Sequence, residues 1–175
     1  MMERNDEMRV TILENGKLQV DNCRIRFRNF EGRQTDYNRL GDRNFALVIP
    51  NMEIAEALMN DKNEYGVGWN VNIKEVEDGD PYISLKVKVK FNEWGPKIFV
   101  RTGGARIRMT EENVKELDRM SISHIDMDIR PYDGSTRQNG PFRAAYLDAM
   151  EVVQNVDRFT ARYMEEQGEL PFEED

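Results

Sequence analysis

Cysteine and histidine are almost missing from this chain of 175 residues, which has one of each, Cys23 and His124. A single cysteine excludes an internal disulfide, and one cysteine with one histidine cannot furnish a zinc site. No segment approaches the run of roughly 20 apolar residues that a membrane span requires. The sequence opens MMERNDEMRV, without the apolar stretch of a secretory leader, so an intracellular, cytoplasmic protein is expected. Glycine loops that cradle phosphates are missing too, as are GxSxG and GxGxxG; Thr102-Gly103-Gly104 reads as a turn. Cys23 falls on the apolar side of its segment, where a thiol is inert, and His124 stands alone on a polar side. Asp126 and Asp128 share a side, but no further carboxylate stands at a spacing that would hold a divalent ion. Neither an enzyme nor a cofactor nor a metal is expected.

What is present is a polar but foldable mixture, 39% hydrophobic and 33% charged, of a length that buries one core unaided. The net charge is −8, yet it is unevenly placed. Six acids and no base lie between Glu165 and Asp175; without them 27 acids face 25 bases. A nearly neutral body presents a basic face when its charges are segregated. We expect one domain over residues 1–164 and a disordered acidic tail over 165–175.

Period-two alternation dominates the body. In Leu18–Phe30, Cys23, Ile25 and Phe27 face one way and Arg24, Arg26 and Arg28 the other. Tyr82–Phe91 sets Ile83, Leu85, Val87, Val89 and Phe91 against Lys86, Lys88 and Lys90. Further strands are expected at Asn44–Ile49, Trp69–Ile73, Lys97–Arg101, Ser123–Pro131 and Phe142–Val153, the last apolar at Tyr146, Met150 and Val152. A helix remains an alternative for part of that final stretch, as far as Met164. Pro50 and the cap Asn51 introduce a helix over MEIAEALMN, and Thr110 begins another over 110–119. Residues 1 to 15 read as a polar arm and 31–42 as a long loop. Strands that are wet on one face indicate an all-β meander, sandwich or small barrel.

The basic strands carry the functional expectation. Each row of three cations spans 13–14 Å at about 3.3 Å per residue, close to two nucleotide spacings. Arg39, Arg43, Arg130 and Arg137 would flank a groove from loops, and Tyr37, Trp69, Tyr82, Trp94 and Tyr132 are candidate stacking platforms. Alternating lysines also serve solubility and edge protection, so the rows admit a purely structural reading. In the tail, Leu170, Pro171 and Phe172 interrupt the acids, as a linear docking motif would; a solubilising terminus is the alternative.

The segments IRFRNFEGRQTDYNRLGDRNFALVIP, GWNV, YISLKVKVKF, GPKIFV and IDMDIRPYD resemble a family of small tailed-bacteriophage proteins, over about Lys17 to Met164. Its members are taken as single-stranded DNA-binding proteins of the OB-fold type. The resemblance implies an OB-like antiparallel barrel of five or six strands with short inserted helices. It also implies sequence-independent binding and protection of single-stranded DNA in phage replication or recombination. The acidic end is similar to the tails of single-strand binding proteins, which would recruit replication or recombination proteins. Those tails finish on the phenylalanine, whereas Glu173, Glu174 and Asp175 follow it here. A homodimer is compatible with this reading. The alternatives are a phage module that binds a host protein without nucleic acid, and a small virion component.

Overall fold

In strands of alternating residues one side must leave water, and here that side builds a single core. The computed structural model describes residues 7–156. The tail motif, and the stretch beyond Val156 as far as Met164, lie outside the described residues.

Among the described residues ten strands form one sheet: β1 Arg9–Ile12, β2 Leu18–Asp21, β3 Ile25–Asn29, β4 Arg43–Ile49, β5 Val71–Lys74, β6 Tyr82–Val89, β7 Lys97–Thr102, β8 Ala105–Met109, β9 Ile122–Thr136 and β10 Gly140–Gln154. The helix α1, Met52–Asn60, separates β4 from β5, and Asn51 caps it by accepting the Ile54 N–H. A short 3-10 turn, Val114–Asp118, separates β8 from β9. There the Asn113 side chain accepts the Thr110 N–H at 2.6 Å, half of a capping box. Among the described residues no helix is long and apolar enough to cross a membrane.

The order is β1-β2-β9-β10-β6-β4-β3, with β5 also on β6 and β7 bridging β10 and β8. Two strands change partner midway. One edge of β6 is covered by β4, while the other pairs with β5 over Tyr82–Leu85 and then with β10 at Val87 and Lys88. Likewise β10 keeps β9 on one edge, and on the other passes from β6 to β7. Partner changes of this kind turn corners and curl a sheet around its core. The β-rich, OB-like architecture is as expected, with more strands than five or six, two parallel pairings, and an order that does not close on itself. The polar arm is shorter than the sequence indicates, because Arg9–Ile12 pairs with β2. The hairpin β7–β8 was not legible as such: β8, exposed along most of its length, reads ARIRM.

Leu85 and Val87 of β6 meet Phe45 and Leu47 of β4, Ile129 of β9 and Leu147 of β10 in the core, all buried. Each such side chain stabilises by about 1.5–3 kcal/mol. Cys23 joins them, and burial, followed by the charge of Asp126, pushes its thiol up to about 12, which leaves it inert.

Candidate nucleic-acid interface

Cross-strand register decides what the outer face carries. Lys86 and Lys88 point away from the core side of β6. Lys88 stands opposite Asn44 of β4 on one side and Tyr146 of β10 on the other, and Tyr146 stands opposite Arg130 of β9. Partners in a ladder point the same way, so Arg130, Tyr146, Lys88 and Asn44 form one row at right angles to the strands. With strands about 4.8 Å apart, the row is about 14 Å long. The Arg130 guanidinium lies 5.0 Å and the Lys88 ammonium 5.9 Å from the centre of the Tyr146 ring, which is thus flanked by two cations. Arg26 opposes Ala46, and Ala46 opposes Lys86, so Arg26 shares this face with the lysine row.

The loop after β3 forms a wall at one end of the row. Asn38 pins it: its amide donates to the carbonyls of Arg33, Arg39 and Asp42, and its carbonyl accepts from Asn44 Nδ2 at 2.8 Å. Between wall and sheet lies a groove of about 500 Å³, lined by Tyr37, Arg39, Arg43, Lys86, Lys88, Lys90 and Tyr146 among others. Tyr37 is 96% exposed at its rim. Arg39 is paired with Asp42 at 3.4 Å, and Arg43 donates to the Phe30 carbonyl at 2.9 Å, so both also hold the wall in place.

At the other end a recess of about 300 Å³ is bounded by Trp94, Pro96, Arg130 and Asp148, with Trp94 80% exposed. Tyr132 meets Tyr146 edge-on at 5.9 Å and Phe142 at 6.0 Å, continuing the aromatic surface along the β9–β10 hairpin. Phe142 lies across Gly134, where a Cβ would come within 2.7 Å of the ring. Further along the same face the charge is mixed: Asp126, Asp128 and Glu151 line a separate recess of about 390 Å³ together with Lys97 and Arg106.

The fold therefore brings Tyr37, Arg39, Arg43, Lys86, Lys88 and Lys90 into one groove and sets Arg130, Trp94 and Tyr132 at its far end. Arg24 is exposed just ahead of β3, and Arg137 is exposed at the hairpin tip, both outside the groove lining. Tyr82 lies lower on β6 beneath the Arg26 guanidinium, 5.4 Å from its ring centre, half-buried. Two expected contacts are corrected. Trp69 is 2% exposed, with Nε1 donating to Asp61 Oδ2 at 2.8 Å, and is a core residue. Arg28 turns inward, donating to the carbonyls of Leu117 and Met120 at 2.8 and 2.6 Å; burial lowers its pKa. The cause is a bulge in β3 between Arg26 and Asn29, which ends the alternation. Phe27, expected in the core, is 73% exposed at that bulge with φ of 55°, a strained value for a bulky residue.

Tyr146 was not among the expected contacts. Unbroken alternation groups it with Met150 and Val152, but a second bulge between Leu147 and Ala149 switches the buried set from Arg143, Ala145 and Leu147 to Met150 and Val152. Tyr146 thereby faces outward. Nothing in local sequence marks that bulge.

Fold and face together describe a class: an OB-like domain whose outer surface carries a basic, aromatic row across its strands. The chain belongs to the family described as "Putative phage ssDNA-binding domain", whose model matches residues 7–173. None of the curated proteins compared matches the chain. Among solved structures, the single-stranded DNA-binding protein from bacteriophage Enc34 in complex with ssDNA is similar, at TM-score 0.55 and 11% identity over 91% of this chain and 96% of that one. A C-terminal truncation of the Enc34 protein aligns at TM-score 0.54, 11% identity, and 91% and 94% coverage. At such identities the likeness is one of fold.

Proposed function

We propose that the protein binds single-stranded DNA without regard to sequence and shields it during phage replication or recombination in the host cytoplasm, catalysing no reaction. The observation that carries this reading is the row Arg130–Tyr146–Lys88–Asn44, which ends in the basic groove rimmed by Tyr37. Cations alternate there with a ring, which is what a strand with a charge on every phosphate and a π-face on every base requires. Family membership supports the reading. Arg24, Arg26, Arg39, Arg43, Lys86, Lys88, Lys90, Arg130 and Arg137 are the phosphate contacts, and Tyr37, Trp94, Tyr132 and Tyr146 the stacking set. Leu170, Pro171 and Phe172 in the acidic segment dock a replication or recombination protein.

The test is fluorescence titration with oligo-dT of about 30 nucleotides, a length that exceeds one OB-fold site. Trp94 is the reporter, since Trp69 is buried. Quenching that weakens steeply with salt is expected. Arg26→Glu with Lys88→Glu should lower the slope of log affinity against log salt by about 1.4, two contacts at about 0.7 each. If neither the full chain nor one ending at Met164 responds at low salt, the reading falls and a protein-binding module takes its place.

A further inference from the structure

The bulge in β3 leaves a phenylalanine ring in water. Phe27 is 73% exposed with φ of 55°, a backbone conformation that a bulky side chain rarely adopts. A ring so exposed contributes little to the core, and on β3, the last strand in the sheet order, it invites association along an edge. Strain of this kind persists only where the surroundings enforce it, and it clusters where ligands are gripped. Bulges re-aim side chains in the same kind of place. The bulge here does two things at once. It turns Arg28 inward to the carbonyls of Leu117 and Met120, and it sets Phe27 outward.

The neighbouring arginine shows which side of the sheet the ring serves. The Arg26 guanidinium lies 5.7 Å from the centre of the Phe27 ring and 5.4 Å from that of Tyr82, so it is flanked by two rings. Arg26 belongs to the groove face, because it stands opposite Ala46 and Ala46 opposite Lys86, a residue of the groove lining. Two strand spacings put the Arg26 and Lys86 backbones about 10 Å apart. Between the two cations Ala46 presents only a methyl group. An extended strand that passes from Lys86 to Arg26 crosses that gap and meets Phe27 at the sheet edge, while half-buried Tyr82 backs the guanidinium.

We infer that Phe27 is a further base-stacking contact, displayed by the β3 bulge beside Arg26 for single-stranded DNA that leaves the groove past Lys86. The inference rests on the single-strand reading of the groove. It is tested in the full chain with Phe27→Gly, which relieves the backbone while removing the ring, and with Phe27→Trp, which keeps a ring. Each is titrated over a range of salt with oligo-dT of about 20 nucleotides, longer than a typical OB-fold site. Phe27→Gly is expected to bind about tenfold more weakly, with an unchanged slope of log affinity against log salt because no charge is lost. Its melting temperature should stay close to that of the unaltered protein, so that the lost affinity is a lost contact. Phe27→Trp should bind as the unaltered protein does, and a halogenated deoxyuridine strand should cross-link to Phe27. Wild-type affinity of Phe27→Gly, with no cross-link, overturns the inference and leaves the groove intact. A weaker affinity with a lower salt slope traces to displacement of Arg26 and overturns it too. If Phe27→Gly instead breaks up a multimer at unchanged affinity, the ring is a contact between copies and the inference falls. Failure of the unaltered protein to bind the strand overturns the single-strand reading and this inference with it.

Discussion

The Arg28 guanidinium donates to the carbonyls of Leu117 and Met120, and Asp118 in return accepts the N–H groups of Phe30 and Glu31. These bonds clamp the end of β3 onto the 3-10 turn. Hydrogen bonds from a charged donor contribute about 1.5–3 kcal/mol, and partners left buried without one are costly. Arg28→Ala is therefore expected to lower the unfolding free energy by about 2 kcal/mol in urea denaturation, while leaving the salt dependence of DNA binding unchanged. Arg26, two residues earlier, faces outward between the Phe27 and Tyr82 rings. In the sequence the two arginines are indistinguishable. The bulge that separates them depends on how Arg26 and Asn29 meet β4, a long-range pairing that no local pattern encodes. The lysine row remained legible because β6 lies between partners throughout, and its alternation runs unbroken from Leu85 to Val89.

At the level of elements, the β9–β10 hairpin organises the interface. It supplies Arg130, Tyr132, Phe142 and Tyr146, and it is braced from behind by Arg143. That buried guanidinium bonds Asp133, the Asp61 carbonyl and, at 5.0 Å, the face of Trp69, so it ties the hairpin to the loop after α1. Its hydrogen bond holds the Asp133 carboxyl below the ordinary carboxylate range. Arg143 is buried but Asp133 stands at the surface, so removing the arginine strands no buried charge and costs its charge-assisted hydrogen bonds, about 1.5–3 kcal/mol. Arg143→Ala should lose stability of that order at neutral pH. The folded pKa of Asp133 is depressed, so its share is present above the unfolded value and fades as pH falls through the folded one; the gap between variant and wild type narrows in acid. The helix α1 and its cap were readable from Asn51 and the spacing of Ala55 and Leu58, because both signals are local. The length of β9 and β10 was not, because their outer ends are strands only by virtue of each other.

Across the whole molecule, the outer face runs from cations between Arg26 and Arg130 to a stretch of mixed charge, where Asp148 pairs with Lys17 and Glu151 with Arg101 and Arg106. Asp128 sits in that stretch, where burial first and the charge of Asp148 second raise its carboxyl above the usual 3.8, with Lys17 acting against them. The folded chain then holds this proton more tightly than the unfolded one, so stability is lost as pH rises from 3.8 through the raised value. Asp128→Asn removes that penalty. Thermal melts should find the variant more stable than the unaltered protein at neutral pH, with the difference vanishing in acid. Composition could show that the charges were balanced, but only register shows which end of β9 carries which sign.

The groove beside Tyr37 lies on the outside of the sheet, and its lysines are open to solvent. Among the described residues nothing in that arrangement requires a ligand to be fed in from one terminus. On the proposed reading a covalently closed circle or the middle of a very long polymer settles in sideways, so loading should need neither a nick nor a free end.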